Sequence, residues 1–179
     1  RHVCNVRKIT YVHARNTHEN EIQCMTIALD GFDLKLLSVL QENAALTNHE
    51  IGQRISLSAS QVSRRRQRLE QDRVIRRYRA DLSPDALGLT VTAFVGVTLG
   101  AHSRENARKF RLMVTAMPEV QEAHTLTGDV DYMLKVVVRD LKALSRIIND
   151  ELLPHEAVQN VRSSIAMETL KDDNLLPLE

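Results

Sequence analysis

A chain of 179 residues with a formal net charge of +1 has room for one large domain or two small ones, and its 43% hydrophobic and 26% charged content is that of a folded globular protein. No apolar run approaches the roughly 18 residues that span a bilayer, Trp is absent, and aromatics at 3% poorly supply a base-stacking platform for single-stranded nucleic acid. The two cysteines, Cys4 and Cys24, form neither a disulfide framework nor a metal motif, which suits a reducing, cytoplasmic setting.

Residues 1–24 read as neither helix nor strand. Met25 directly precedes the first well-patterned segment, so residues 1–24 are expected to be a non-native or disordered extension and are set aside from the fold. From Asp30 the signals sharpen. Asp30 caps a predicted helix reaching about Asn43, with Leu36, Leu37 and Leu40 on one stripe. Thr47 to Glu50 is a capping box opening a short helix that carries Ile51 and Ile55. A second box, Ser58 to Gln61, follows only three residues after Ile55. Two capped helices so close together must turn sharply, which is helix-turn-helix geometry. Val62 and Leu69 of the second helix face the core, leaving Ser60, Gln61, Ser63, Arg64, Arg65 and Arg68 on its outer faces. Val74 to Leu82 is an extended, Arg-studded stretch suited to a wing or a linker, and Ser83-Pro84 is a turn signal.

Beyond the turn the pattern alternates. Thr92–Leu99 is a β-branched strand, and Ser103 caps a helix with Ala107, Phe110, Val114 and Met117 on one side. Residues 120–127 and 132–139 are two strands joined by Gly128-Asp129-Val130-Asp131. Asp140 caps a helix bearing Leu141, Leu144, Ile148 and Leu152, closed by Pro154, and residues 157–167 are the last strand. The order β-α-β-β-α-β predicts an α+β, ferredoxin-like domain, one antiparallel sheet with two helices on one face. The other face must be covered, so a homodimer is expected. The predicted organisation is a winged helix-turn-helix over 25–82, a linker over 83–90, and an effector-binding and oligomerisation domain over 91–179.

Charge divides along the same line. Residues 1–29 balance to +2 and residues 30–80 to +4, most of the latter's basic residues falling between Arg64 and Arg79, whereas residues 81–179 balance to −5. A basic head on an acidic body fits a DNA-contacting module joined to a module that does not touch DNA.

With those pieces in place, residues 29 to about 171 resemble the leucine-responsive regulator/asparagine regulator (Lrp/AsnC) family. The matching residues are Leu29-Asp30, Asp33, Leu37 and Leu40 in the first helix, then Leu57-Ser58, Val62, Arg65 and Arg68-Leu69-Glu70 around the recognition helix. Val74-Ile75, Tyr78, Leu87-Gly88, Thr127-Gly128 and Asp131-Tyr132 follow in the same order and spacing. Three positions depart from the usual pattern. Ser56 stands where the turn commonly carries Gly, Arg73 where Gly usually follows the recognition helix, and Arg66 where an apolar residue is more common.

Groove recognition asks for Arg or Lys to neutralise phosphates and for short polar or Arg side chains near the helix N-terminus to reach base edges. Ser60, Gln61, Ser63 and Arg64 stand where base readout is expected, and Ser58 is a further candidate DNA-binding residue. Arg65, Arg68, Arg76, Arg77 and Arg79 are candidates for backbone contacts to double-stranded DNA, Arg65 being also a candidate for an intramolecular pair. The turn at Gly128 reads by itself as a hairpin turn. The resemblance implies that this loop lies near an amino-acid pocket formed between neighbouring dimers, with Asp131 able to hold an α-ammonium and turn N–H groups an α-carboxylate. His124, Thr127, Gly128 and Asp129 complete the candidate effector site.

His49, His102, His124 and His155 have no mutually supportive metal spacing, and no nucleophile elbow or phosphate loop is present, so no metal, cofactor or catalytic residue is assigned. The expected function is a cytoplasmic, nucleoid-associated bacterial or archaeal transcriptional regulator that answers to an amino acid or related metabolite. The resemblance implies assembly from dimers to tetramers or octamers. Two alternatives stand beside it: a sirohaem-decarboxylase-like enzyme of the same two-part architecture, and an amino-acid-sensing module without DNA binding.

Overall fold

A computed structural model describes residues 7–13, 23–100 and 103–178, with side chains from Ile27 onward. It divides into two compact units, residues 1–80 with 173–179, and residues 81–172.

The first unit opens with an antiparallel pair, β1 (Arg7–His13) and β2 (Gln23–Leu29), in which Arg7 lies opposite Leu29 and His13 opposite Gln23. The N-terminal segment that showed no secondary structure in the sequence therefore contains a strand, while the remainder of the expected 1–24 extension lies outside the described residues. Thr26 and Ile27 give β2 a β-branched centre that favours a strand. Three helices follow: α1 (Gly31–Glu42), α2 (Asn48–Ile55) and α3 (Ala59–Gln71). Each begins at a complete capping box, with Asp30, Thr47 and Ser58 accepting from the N3 backbone N–H while Asp33, Glu50 and Gln61 reach back. Such caps satisfy donors that the first helical turn leaves orphaned, typically stabilising each helix by about 1 kcal/mol.

Leu29, Leu36, Leu40, Ile51, Ile55, Val62 and Leu69 form the core of this unit. At roughly 1.5–3 kcal/mol per fully buried aliphatic side chain, these few contacts fix the mutual orientation of α2 and α3. The turn between them is tight. Leu57 N–H donates to Gly52 O at 2.9 Å, and a Cβ on Gly52 would lie only 2.4 Å from Leu57 O. Ser56 closes α2 in the left-handed region at φ 59, and Arg73 does the same beyond α3 at φ 56. These are two of the positions at which glycine is the common residue. Residues 74–83, expected as wing or linker, run without helix or strand.

Residues 173–178 also belong to this unit. The Gln41 side chain donates from Nε2 to Leu176 O at 3.1 Å and accepts from Leu176 N–H at 2.8 Å. One amide thereby satisfies both backbone groups of a residue 135 positions away.

The second unit holds a four-stranded antiparallel sheet in the order β4-β5-β3-β6: β3 (Val91–Leu99), β4 (Val120–Thr125), β5 (Tyr132–Val138) and β6 (Val158–Ile165). Helix α4 (Arg104–Ala116) follows β3, and α5 (Leu141–Arg146) follows β5. This is the ferredoxin-like arrangement expected. Ala93, Val95, Val97 and Leu99 of β3 and Leu134, Val136 and Val138 of β5 meet Phe110 and Val114 of α4 and Leu144 of α5 in one core.

One detail departs from the α-helical pattern. Residues Ile147–Leu152 continue α5 as a π-helical turn. The wider turn carries Ile147 and Leu152, five apart, into the core, leaving Ile148 only partly buried and Leu141 58% exposed. On the opposite face of the sheet Phe94 is 43% exposed beside Gly96, against which Val130 packs at a projected Cβ distance of 3.1 Å.

Candidate DNA-binding surface and effector cleft

Helix α3 buries Val62 and Leu69, which are seven residues apart and so share one stripe. Ser60, Arg64, Gln67 and Gln71 lie diametrically opposite, all exposed, and form the outermost ridge of the head. Gln67 was not singled out in the sequence, although it lies seven residues from Ser60 and three from Arg64, the spacing that places all three on one ridge. Ser63 flanks that ridge on one side, Gln61 and Arg68 on the other.

Two of the cap residues have divided duties. Ser58 Oγ accepts from Gln61 N–H at 3.3 Å and contacts Ser60 Oγ at 3.1 Å, while Gln61 Oε1 accepts from Ser58 N–H at 3.0 Å. The acceptor end of the Gln61 amide is thus used within the helix, leaving its NH2 as the group able to meet a base edge.

The arginines of this helix and of the segment after it separate into tied and untied groups. Arg65 Nη1 donates to Asp30 Oδ2 at 2.8 Å and to Asp33 Oδ1 at 2.7 Å. Arg68 Nη2 donates to Asp33 Oδ2, which also accepts from Asp30 N–H at 3.0 Å. Asp33 is fully buried, and this ring of donors satisfies its side-chain oxygens there. Burial raises the Asp30 pKa. The N–H groups of Asp33 and Phe32 and the Arg65 guanidinium outweigh that and hold the carboxyl below its ordinary value. Arg65 and Arg68 therefore lock α3 to the start of α1.

Arg66, unusual in its position, has a partner of its own. Its Nε donates to Tyr78 Oη at 2.8 Å, its guanidinium lies 4.5 Å from the Tyr78 ring centroid, and Tyr78 O–H donates to Glu70 at 2.8 Å. Burial, reinforced by the Glu70 hydrogen bond, raises the Tyr78 phenol above its ordinary value. This triad fastens the chain after α3 back onto the helix. Arg64, Arg76, Arg77 and Arg79 are exposed and make no ion pair among the described residues. The exposed Arg73 is likewise in no ion pair among the described residues.

In the second unit, the loop after β4 is fixed by Asp131. Its N–H donates to Val97 O at 3.0 Å, and its Oδ2 accepts from Leu99 N–H at 2.7 Å, extending the β3–β5 ladder past its last pair. Gly128 adopts φ 133, a backbone conformation that side chains other than glycine's rarely allow. Beneath this loop an open cleft of about 220 Å³ lies on the helical side of the sheet. Leu99, Thr125, Asp131 and Tyr132 at the strand ends line one side, and Ser103, Arg104, Ala107 and Arg111 of the α4 segment line the other. Of the candidate effector residues, Asp131 lies in this lining. Thr127, Gly128 and Asp129 belong to the loop outside it. His124 pairs in register with Met133 on the other face of the sheet, where its Nε2 contacts Glu122 Oε2 at 3.2 Å. That hydrogen bond is the main reason the Glu122 carboxyl is held below its ordinary range. Arg104 and Arg111 carry no signal in the sequence, where the periodicity of that helix marks only its apolar stripe.

A helix-turn-helix with arginines unpaired among the described residues, followed by an α+β domain with a small cleft lined by Arg104, Arg111 and Asp131, defines a DNA-binding regulator joined to a ligand-binding domain. Residues 29–70 match the AsnC-type helix-turn-helix domain, and residues 92–176 match the Lrp/AsnC ligand binding domain. The chain is 34% identical over 152 residues to the leucine-responsive regulatory protein of Haemophilus influenzae, covering 85% of this chain and 92% of that protein. It is 36% identical over 150 residues to the glutamate uptake regulatory protein of Zymomonas mobilis, covering 84% and 91%. A transcriptional regulator of Neisseria meningitidis, solved in complex with L-Met, superposes with a TM-score of 0.81 at 39% identity, covering 84% of this chain and 97% of that one. The protein belongs to the Lrp/AsnC family of transcriptional regulators. Among the described residues no helix is long and apolar enough to cross a membrane.

Proposed function

We propose that this protein regulates transcription by laying α3 in the major groove of double-stranded DNA, with Ser60, Ser63, Arg64 and the Gln61 amide at base edges. Arg76, Arg77 and Arg79 contact phosphates, while Arg65 and Arg68 serve first to hold α3 in place. The observation that carries this reading is the division of the arginines: Arg65 and Arg68 are held by Asp30 and Asp33 and Arg66 by Tyr78 and Glu70, whereas Arg64 on the exposed ridge and Arg73, Arg76, Arg77 and Arg79 beyond the helix are exposed and form no ion pair among the described residues. An amino acid or related metabolite in the ligand-binding domain modulates the DNA-bound state, a reading supported by the Neisseria relative's complex with L-Met. The uncovered sheet face around Phe94 supports a homodimer, which presents two recognition helices to paired half-sites and assembles further to tetramers or octamers in the cytoplasm.

The test is fluorescence anisotropy on duplex DNA from the region upstream of the protein's own gene, at several salt concentrations. Each phosphate contact contributes a slope of about −0.9 in log affinity against log salt. Arg77→Ala is expected to reduce the slope by about 1, and Arg64→Ala to weaken binding by about 1–3 kcal/mol while relaxing base preference. Binding that ignores salt, or that survives both substitutions unchanged, overturns the assignment.

A further inference from the structure

The cleft in the second unit carries an unbalanced charge that identifies the class of molecule suited to it. At about 220 Å³ it is smaller than the roughly 300–1,000 Å³ of pockets for drug-sized ligands, a size that suits a small metabolite. Arg104, Ala107 and Arg111 are spaced i, i+3, i+7 and so present one stripe of α4 to it.

The neighbouring cations of the same helix are neutralised. Arg108 pairs with Glu105 at 3.6 Å, and Lys109 pairs with Glu156. Among the described residues no carboxylate pairs with Arg104 or Arg111, the two that line the cleft. Opposite them stands one carboxylate, Asp131. Its Oδ2 is committed to Leu99 N–H, and its Oδ1 has no partner among the described residues. The lining therefore offers two guanidinium groups and one half-used carboxylate.

Resting on the reading of this domain as an amino-acid sensor, we infer that the cleft selects a dicarboxylic α-amino acid of the glutamate or aspartate type. One carboxylate meets Arg104 and the other Arg111 in charge-assisted, potentially bidentate pairs, while the ammonium meets Asp131 Oδ1. Two negative charges and one positive charge complement the lining group for group. A zwitterion with an apolar side chain leaves one guanidinium without a partner. Thr125 and the buried Tyr132, whose ring is tilted against Phe110 with centroids 4.8 Å apart, line the cleft between the strand ends.

The experiment is isothermal titration of the full chain with L-glutamate, L-aspartate, L-methionine and L-leucine at low ionic strength. It is repeated on Arg104→Gln/Arg111→Gln and on Arg108→Gln, a cation outside the cleft. All three replaced arginines are exposed, so the variants are expected to fold, which circular dichroism verifies. The expected result is at least tenfold tighter binding of an acidic amino acid than of methionine, a preference abolished in the double variant and kept in Arg108→Gln. Methionine or leucine binding more tightly, or an acidic preference that survives the double variant, overturns the charge assignment and leaves the amino-acid reading standing. Absence of binding by all four overturns the charge assignment, and absence of binding by the remaining proteinogenic amino acids and by related metabolites as well overturns the effector reading.

Discussion

Replacing Gly52 with Ala tests whether the head depends on one backbone contact. The added Cβ would lie 2.4 Å from Leu57 O, about 1 Å inside the 3.4 Å at which ordinary contact begins, and the obstructing atom is backbone rather than the end of a flexible side chain. Relief requires Leu57 to move away from α2. That lengthens the 2.9 Å bond from Leu57 N–H to Gly52 O and pulls at Ser58, the cap of α3. Overpacking against backbone costs about 3 kcal/mol, the upper end of its usual range. The weakened hydrogen bond adds about 1 kcal/mol, and the better helix propensity of Ala returns about 1 kcal/mol. The net loss of about 3 kcal/mol corresponds to a fall of roughly 12–24 °C in the melting of a unit this size. Differential scanning calorimetry of Gly52→Ala and of Gly31→Ala, where nothing lies within 4 Å of the added atom, measures the difference. The Gly31 variant is expected to stay within about 0.5 kcal/mol of the parent, whereas the Gly52 variant also loses DNA affinity because α3 is displaced. If the two variants melt together, the reasoning from the α2–α3 contact is wrong.

Ser56→Gly and Arg73→Gly relieve two left-handed residues, at φ 59 and φ 56, and each is expected to raise the denaturant midpoint by an amount equivalent to roughly 0.5–1 kcal/mol, the relieved strain less the entropy of an added glycine. A lowered midpoint for either excludes strain at that position. Acid acts in a defined direction on the same unit. The Asp30 carboxyl is lowered when folded, so the unfolded chain binds the proton more readily. Its contribution is complete above the unfolded carboxylate value of about 3.9 and is lost as pH falls through the lower folded value. Urea midpoints between pH 7 and pH 3 are expected to stay level and then drop below about pH 4, with a shallower drop in Asp30→Asn; an equally steep drop in that variant refutes the assignment to Asp30.

The parts of this molecule legible in its sequence are those whose signals span a few residues. Each capping box joins positions three apart, so Asp30, Thr47 and Ser58 announce their helices wherever the chain goes afterwards. Alternation across residues 92–99 likewise assigns faces without knowledge of the partner strand. The pairing of Arg65 with Asp30 and Asp33 joins residues 35 and 32 positions apart. Sequence made Arg65 a candidate for both DNA and an internal partner, while Arg68 read only as a DNA residue; packing revealed the internal role of both. The inward turn of Ile147 depends on a π-helical step that the 3.6-residue period does not encode. Gly52 carried no signal because its importance lies in a carbonyl five residues on, brought back by a turn whose tightness is itself the result of folding. In the cleft, Asp131 was legible from its turn, whereas Arg104 and Arg111 became meaningful only once the strand ends stood opposite α4.

The link between Gln41 and Leu176 also bears on the order in which the head is completed. Every other contact named in that unit closes a loop of at most about forty residues, but this one closes a loop of 135. The entropy of loop closure rises by about 0.6 kcal/mol for each doubling of length, so the unfolded chain makes this contact last. Because Gln41 grips only main-chain atoms, it asks nothing of the side chain at position 176 except that the residue retain its N–H. Chain growth imposes the same order, since Leu176 follows every residue of the intervening domain, and the head of a nascent chain is consequently one clasp short until synthesis has passed that residue.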